Sequence, residues 1–320
     1  MSVILLDGAT GTEIERRGGP LCPPLWSAQA LIDDPALVRA IHRDYLEAGA
    51  QVLTTNSFRT HARNLAAAGL SSRARELTGL SVRLACEARD EYTQAHPDGA
   101  DVRIAGSISP LEDCFCPGDS PGSAAGPEHR EIATQLVEAG ADLLLIETMG
   151  RIDEARAAVM AAQGLGRPIW LAVVARADGR LLAGESLFKL VAALADLELH
   201  ALLLNCTDLD HLELALPALC AAAATRPALW SGAYPHTGHH DRERGWQTHA
   251  VTRDAFADRL ASWSRRLPQL RLLGGCCGST PAWTAALATR LQPDARARTS
   301  ACAALAAAVP RARASVYSPA

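Results

Sequence analysis

The amino-acid sequence predicts an α/β protein built as a single (β/α)8 barrel with a short C-terminal helical extension. Short runs rich in leucine and β-branched residues alternate with longer stretches in which apolar residues recur at helical spacing. Eight such pairs occur, and continuous apolar strands separated by helices are typical of a parallel sheet covered on both faces. The length of 320 residues also suits one TIM barrel.

Each predicted strand is a short apolar run. The eight strands are Val3–Leu6, Gln51–Thr55, Val102–Gly106, Asp142–Glu147, Ile169–Val174, Ala201–Asn205, Ala228–Ala233 and Leu270–Gly274. The predicted helices are Pro35–Ala48, Ser71–Tyr92, Pro127–Ala139, Asp153–Gln163, Leu187–Leu197, Leu209–Ala224, Arg253–Leu267 and Pro281–Leu291. Two helices end in Glu-Ala-Gly-Ala, where Gly49 and Gly140 suit the left-handed position that follows a helix.

One domain is predicted for residues 1–292, and residues 293–320 are predicted to form an extension that is partly helical or disordered. Pro117–Pro127, rich in glycine, serine and proline, is predicted to be a long flexible loop. A doubly wound sheet is the main alternative, and it would favour a glycine-rich phosphate loop after an early strand. That position offers only Gly8 and Gly11, so a dinucleotide site is weakly supported.

Charge and hydropathy argue against nucleic acids, membranes and export. Thirty-one basic against 35 acidic residues leave a net charge of −4, which provides no electrostatic footprint for DNA or RNA. The N-terminus lacks a basic segment, and the longest apolar stretch, Leu214–Ala224, contains Pro217 and is too short to cross a bilayer. We therefore predict a cytoplasmic protein that acts on small molecules. The sequence does not predict its oligomeric state.

Nine cysteines and a single lysine narrow the chemistry. An odd number of cysteines in a reducing compartment is not typical of a disulfide framework, so a subset is expected to bind metal or to react. Lys189, the only lysine, falls within the helix predicted after the fifth strand and not at a strand end. Schiff-base catalysis therefore has no suitable residue.

Reactive side chains follow several strands, at the end of a barrel where active sites lie. These strand ends are Asp7-Gly8, Thr54-Thr55-Asn56-Ser57, Gly106-Ser107, Glu147-Thr148, Asn205-Cys206-Thr207, Tyr234-Pro235 and Gly274-Gly275-Cys276-Cys277-Gly278. Three cysteines, Cys206, Cys276 and Cys277, thus reach the same mouth of the barrel. Three thiolates can hold Zn²⁺ and leave a fourth position for substrate, and soft sulfur ligands favour zinc over Mg²⁺ or Ca²⁺.

The adjacent Cys276 and Cys277 would ordinarily point to opposite sides of a strand. The glycines at 274, 275 and 278 are expected to permit the unusual dihedral angles that turn both thiols towards one ion. In the alternative, Cys276 and Cys277 form a redox pair and Cys206 is an ordinary buried residue. The chain would then be a thiol redox sensor or a non-catalytic zinc-binding barrel.

Asp7 and Glu147 follow the first and fourth strands, and two converging carboxylates suit an α-ammonium group. Helix capping by Asp7, an exposed strand end at Glu147, or acid–base chemistry by the pair are the alternatives.

These motifs resemble those of the homocysteine S-methyltransferase family. The matching segments, in the family's order between about residues 3 and 290, are Leu6–Glu13, Leu53–Phe58, Leu145–Thr148, Asn205-Cys206, Tyr234-Pro235 and Gly274–Gly278. The resemblance implies a zinc-dependent enzyme that transfers a methyl group from an onium donor to homocysteine, giving methionine. S-methylmethionine is the first candidate donor, and S-adenosylmethionine and betaine are the others.

The resemblance also implies roles for the strand-end residues. Cys206, Cys276 and Cys277 would bind zinc and activate the thiol of homocysteine, whose sulfur completes the coordination. Asp7 and Glu147 match the acidic positions that hold the ammonium group. The other predicted substrate-binding residues are Gly8, Thr55, Ser107 and Thr148, with hydroxyl groups near Thr55 and Ser107 expected to contact the carboxylate.

Three further segments are expected near the mouth. His236–His240 is expected to be a polar, solvated loop without a metal, and Cys114 and Cys116 have no assigned chemistry. Trp26 either packs over the mouth or contacts a cationic donor through its ring. The segment Ser109–Pro117 departs most from the family's pattern, so the resemblance does not assign the donor.

Overall fold

The computed structural model describes residues 2–19, 21, 23–97, 101–241, 244–248, 251–292 and 295–312. It confirms the predicted barrel, because eight parallel strands form one sheet in the order β1-β10-β7-β6-β5-β4-β3-β2. These strands are β1 Ile4–Leu5, β2 Val52–Thr54, β3 Arg103–Ile108, β4 Leu143–Met149, β5 Ile169–Val173, β6 Ala201–Asp208, β7 Trp230–His236 and β10 Leu270–Leu273.

The barrel closes between its first two strands. Leu6 and Val52 form a parallel bridge. The backbone N–H of Gln51 donates to Leu5 O at 2.8 Å, and that of Asp7 donates to Val52 O at 3.1 Å. The last strand, β10, pairs with β1 on its other side. Residues from the two ends of the chain therefore complete the same sheet.

Helices surround the sheet, and each of the eight predicted helices is present. The eight helices are α3 Pro35–Glu47, α5 Ala74–Ala95, α6 Gly126–Glu138, α7 Ile152–Ala162, α8 Leu187–Ala193, α9 Leu209–Ala223, α10 Arg253–Arg266 and α11 Pro281–Leu291. Three short helices were not predicted: α1 Gly11–Arg16, α2 Gln29–Asp33 and α4 Ala62–Ala66. Gly49 and Gly140 have φ angles of 99° and 103°, which confirms the predicted left-handed junctions.

The apolar core has two parts, as expected for strands buried on both faces. One part lies between the sheet and the helices and includes Leu5, Leu53 and Ile146. The other fills the barrel and includes Ile4, Leu145 and Leu203. Neighbouring residues of β1 and of β4 therefore face opposite sides of the sheet.

A C-terminal helix, α12 Ala295–Ala308, covers the end of the barrel opposite its mouth. Leu305 and Val309 are fully buried against the residues that fill the barrel. The guanidinium of Arg103, the first residue of β3, donates to Val309 O. This helix thus seals the interior where the strands begin.

Two loops are more structured than predicted. Within Pro117–Pro127, residues Gly122–Ala125 form a 3₁₀ helix, and the hydroxyl of Ser120 donates to the carboxylate of the buried Glu154. The segment His236–His240 was predicted as a loop, but His236 ends β7, and residues 238–240 belong to β8 Gly238–Asp241, which forms an antiparallel hairpin with β9 Gly245–Thr248. Neither has the long apolar run by which the barrel strands were predicted. In the described part of the chain, no helix combines the length and the hydropathy that a membrane span requires.

Candidate active site

A cavity of about 860 Å³ opens at the carboxyl ends of the strands. Its lining brings together most of the predicted site residues: Asp7, Gly8, Thr55, Glu147, Thr148, Cys206, Cys276 and Cys277. Ser107 lies deeper and contacts the cavity through Glu147. A roomy cavity with charged and thiol groups at the mouth of a barrel is where substrate binding is expected.

The three predicted metal ligands converge. The Sγ atoms of Cys206, Cys276 and Cys277 all lie within 4.8 Å of one another, and those of Cys206 and Cys277 are 4.0 Å apart. Among the residues that the structure describes, no other group of three histidine, cysteine or acidic side chains has this proximity.

Local backbone distortions aim these thiols. Cys206 has a φ angle of 47°, in the left-handed region, where the pairing of β6 with β7 shifts register between Asn205 and Asp208. Such a conformation is costly for a residue with a side chain and is concentrated at functional sites. The irregularity turns the thiol of Cys206 towards Cys276 and Cys277.

The adjacent cysteines share one side because the chain turns directly after them. Ser279 N donates to Cys276 O at 3.0 Å, and Gly278 has a φ angle of 80°. Only Gly278 uses a positive φ, so the prediction that Gly274 and Gly275 supply unusual dihedral angles is wrong in that respect. A Cβ atom on Gly274 would lie 2.6 Å from Leu6 Cβ, and one on Gly275 would lie 2.4 Å from Ser279 Oγ. These two glycines are needed because neighbouring groups pack tightly against the backbone.

The thiols also differ in acidity. Hydrogen bonds from Cys206 and Cys276 lower the pKa of the Cys277 thiol well below its ordinary value. Hydrogen bonding with Cys276 raises the pKa of Cys206. One sulfur is thus favoured as a thiolate that its two neighbours stabilise. This all-sulfur donor set fits a soft metal ion such as zinc and leaves one coordination position for a further ligand.

Asp7 is held at the end of β1 by the next strand. Thr54 donates to its carboxylate twice, from the backbone N–H at 2.7 Å and from the hydroxyl at 2.9 Å. Burial, with a smaller contribution from the nearby Glu147, nevertheless raises the pKa of Asp7 to about 8. The site therefore holds a carboxylate that would gain from a cationic partner.

Glu147 is the second buried carboxyl group and is 8% exposed. It accepts a 2.5 Å hydrogen bond from Ser107 Oγ and a 3.1 Å hydrogen bond from the phenol of Tyr234. Burial raises its pKa to about 7, although both hydrogen bonds act in the opposite direction. Ser107 thus orients a carboxylate in this structure.

The remaining predicted substrate-binding residues, Gly8, Thr55 and Thr148, are each engaged with neighbouring protein groups. Thr55 lines the cavity, but its Oγ1 already accepts from Ser107 N at 3.0 Å and lies 2.7 Å from Ser57 Oγ. Gly8 permits close packing, since a Cβ atom there would lie 2.7 Å from the phenolic oxygen of Tyr45.

Thr148 has a φ angle of 63° and is clamped by Asn205. Its N–H donates to Asn205 Oδ1 at 3.2 Å, and Asn205 Nδ2 donates to its Oγ1 at 2.9 Å. Asn205 and Tyr234 were noted as strand-end residues but received no role from the sequence. Asn205 ties the irregular end of β4 to the residue preceding Cys206, and Tyr234 orients Glu147.

The other segments near the mouth are now placed. Cys114, Trp26, His236 and His239 line the cavity, whereas Cys116 is exposed. Lys189 is exposed on α8, in agreement with the argument against Schiff-base chemistry. Cys22 and the side chain of His240 lie outside the described residues.

Comparison with known proteins identifies the family. The homocysteine S-methyltransferase family profile matches residues 4–291. The homocysteine S-methyltransferase of Escherichia coli is 35% identical over 301 residues, covering 90% of this chain and 95% of that protein. The selenocysteine Se-methyltransferase of Brassica oleracea is 30% identical over 311 residues, covering 90% and 88%. The metallated crystal form of the E. coli homocysteine methyltransferase MmuM matches with a TM-score of 0.78 and 33% identity, covering 91% of this chain and 96% of that one. The chain therefore belongs to the homocysteine S-methyltransferase family of enzymes.

Proposed function

We propose that the protein is a zinc-dependent enzyme that transfers a methyl group from an onium donor to homocysteine and forms methionine. The convergence of Cys206, Cys276 and Cys277 within 4.8 Å is the observation that carries the proposal. Family membership and the metallated form of a related methyltransferase support it. Zn²⁺ held by the three thiols would act as a Lewis acid that lowers the pKa of a coordinated substrate thiol.

The chain's own carboxylates would anchor the amino-acid end of homocysteine. Asp7 and Glu147 lie in the same cavity as the thiols, and both have a raised pKa because burial disfavours their charge. An incoming ammonium group would compensate these charges by charge-assisted hydrogen bonds. Thr54 holds Asp7, and Ser107 and Tyr234 hold Glu147, so the acceptor would be oriented by groups that are already fixed.

The transfer itself is a direct displacement. The sulfur of the homocysteine thiolate forms a bond to the donor's methyl carbon while the bond from that carbon to the onium sulfur or nitrogen breaks. The bonding pair leaves with the donor atom, which becomes neutral, and no oxidant or reductant is needed. S-methylmethionine is the first proposed donor, with S-adenosylmethionine and betaine as the others. The protein's task is therefore alignment and exclusion of water rather than proton transfer during the displacement.

A methyl-transfer assay tests the proposal. Reduced, zinc-loaded protein is incubated with homocysteine and each of the three donors in parallel, and methionine is quantified. We expect one donor to support turnover and a Cys206→Ser variant to lose both zinc and activity. Cys220→Ser is the matched control, because Cys220 is also buried but lies on α9 outside the thiol cluster. It should keep both.

Two outcomes would contradict the proposal. Activity that survives complete removal of metal under reducing conditions would exclude the proposed role of zinc. A protein that transfers no methyl group to homocysteine but forms a reversible disulfide between Cys276 and Cys277 would instead support the redox-sensor alternative. Mass spectrometry with and without reductant measures that disulfide.

A further inference from the structure

The cavity carries charges of opposite sign on different parts of its wall. Its acidic groups, Asp7, Glu147 and the three thiols, line its buried part. Arg59 and Arg63 line another part of the same cavity, in the segment that follows β2. Cys114 also lines this cavity; burial raises the pKa of its thiol, Arg59 lowers it, and Asp113 and Cys277 raise it. A ligand that fits this cavity is therefore expected to be dipolar.

The two arginines differ in how their charges are compensated. Arg63 is neutralised by two carboxylates, with Nη2 2.6 Å from Glu128 Oε1 and Nη1 2.9 Å from Glu112 Oε1. Among the described residues, the guanidinium of Arg59 has no carboxylate partner and donates one long hydrogen bond, 3.5 Å, to Glu112 O. Arg59 is partly exposed, so its donors remain available to a ligand.

Arg59 is also positioned by its neighbours. Its guanidinium carbon lies 5.3 Å from the centre of the Phe58 ring, and Asn64 Nδ2 donates to its carbonyl at 3.0 Å. Ser109 Oγ donates to Phe58 O at 2.6 Å, which ties this segment to the loop after β3. These hydrogen bonds hold the backbone of this segment beside the cavity, and a guanidinium presented there can bind a carboxylate through two parallel hydrogen bonds.

We propose that Arg59 binds the carboxylate of the methyl donor and thereby directs the donor's onium centre towards the thiol cluster. This inference rests on the function proposed above. The acidic groups and Arg59 lie on different parts of the cavity wall, so a dipolar donor is favoured with its onium centre beside the acidic groups and its carboxylate beside Arg59. Asp113 is exposed and lines the same cavity; its Oδ1 accepts from Phe115 N at 2.9 Å, and its other oxygen can accept from an α-ammonium group. That feature favours a sulfonium amino acid over betaine.

Paired donors test the assignment. Initial rates are measured at saturating homocysteine with S-methylmethionine and with its carboxamide, which retains the sulfonium and lacks the negative charge. If the wild type uses S-adenosylmethionine or betaine instead, the acid and amide of that donor replace this pair. The wild type should prefer the acid by about 10-fold or more in kcat/KM for the donor, as expected for a charge-assisted pair.

The variants isolate the charge of Arg59. Arg59→Gln should abolish the preference for the acid by raising the KM for the acid donor, with the KM for homocysteine unchanged. Arg59→Lys should retain part of the preference. Arg63→Gln is the matched control, because it removes a cavity-lining guanidinium that is already neutralised, and it should preserve the acid-to-amide ratio.

A binding measurement separates failure of this inference from failure of the proposed function. Calorimetry gives the affinity for S-methylmethionine without turnover. Methyl transfer by the wild type together with an unchanged acid preference in Arg59→Gln would overturn the role of Arg59 alone. A rise in the KM for homocysteine instead of the donor would overturn it equally. Absence of methyl transfer with binding that still depends on Arg59 would overturn the proposed function and leave the carboxylate site standing.

Discussion

Replacing Glu147 by glutamine should stabilise the metal-free protein while impairing acceptor binding. Burial raises the pKa of Glu147 from 4.5 to about 7, so the folded state favours the uncharged carboxyl group. Its contribution to stability is present below pH 4.5 and is lost as the pH rises through 7. The free energy of unfolding falls by about 1.4 kcal/mol for each pH unit between pH 4.5 and 7, so the total loss reached above pH 7 is about 3 kcal/mol.

The amide keeps the shape and can keep both hydrogen bonds. Its oxygen can accept from Ser107, and the hydroxyl of Tyr234 can rotate to accept from its N–H group. The free energy of unfolding of Glu147→Gln should therefore exceed that of the wild type by about 1 kcal/mol at pH 5 and by about 3 kcal/mol at pH 8. The KM for homocysteine should rise, because one partner of the ammonium group has lost its charge.

Urea unfolding of chelator-treated, reduced protein at pH 5, 6, 7 and 8 measures this difference. Glu87→Gln is the control, since Glu87 is exposed on α5 and should give a small difference that does not grow with pH. A Glu147→Gln protein that is less stable than the wild type at pH 8 would refute the reasoning. A difference that is constant across the pH range would refute it as well.

Three further substitutions probe other parts of the molecule. Burial lowers the pKa of His42 from 6.5 to about 4, so its stabilising contribution is lost as the pH falls from 6.5 to 4. Unfolding measured at each pH should show that the wild type loses about 3 kcal/mol of stability over this range and that His42→Leu does not. Asn205→Ala removes both hydrogen bonds to Thr148 and should weaken metal binding about 10-fold in a chelator competition assay. Leu305→Ala opens a cavity beneath the barrel and should cost about 2–5 kcal/mol in urea unfolding, whereas Leu214→Ala, on the surface, should change stability by less than about 0.5 kcal/mol.

Each of these expectations has a contrary result. An unchanged acid transition in His42→Leu would show that this histidine does not govern acid stability. Unaltered metal affinity in Asn205→Ala would show that the cysteine ligands are positioned without the clamp on Thr148. Equal effects of Leu305→Ala and Leu214→Ala would mean that α12 does not seal the barrel.

The fold was predictable because its strands are buried on both faces. A run such as Ile169–Val173 is continuously apolar and bounded by helices, and its bounds differ from the prediction by one residue. The ends at the mouth were harder. The strand β6 extends to Asp208 rather than Asn205, because pairing resumes after the irregular backbone at Cys206. The short helix α4 was missed since five residues cannot show an amphipathic repeat.

The candidate site was likewise predictable only in part. The rule that strand ends carry the active site was enough to find Asp7, Glu147 and the cysteines. It did not show which of these side chains hold others in place, such as Ser107, whose hydroxyl donates to Glu147. Arg59 was not singled out from the sequence, because it is distinguished by having no carboxylate partner among the residues that the structure describes. That property depends on which arginine reaches Glu112 and Glu128 in three dimensions.

The closure of the barrel has a consequence for synthesis. In the finished sheet, β1 lies between β2 and β10. When β1 has bonded only to β2, the edge of β1 that will pair with β10 is still open. Since Ile4 pairs with Leu272, that edge waits for nearly the whole chain to leave the ribosome. Cys276 and Cys277 follow β10 by only a few residues, so they reach Cys206 in the same late event. The thiol cluster and the closed barrel therefore arise together, and a chain released before its last strand would expose an unpaired sheet edge to aggregation and have no complete metal site.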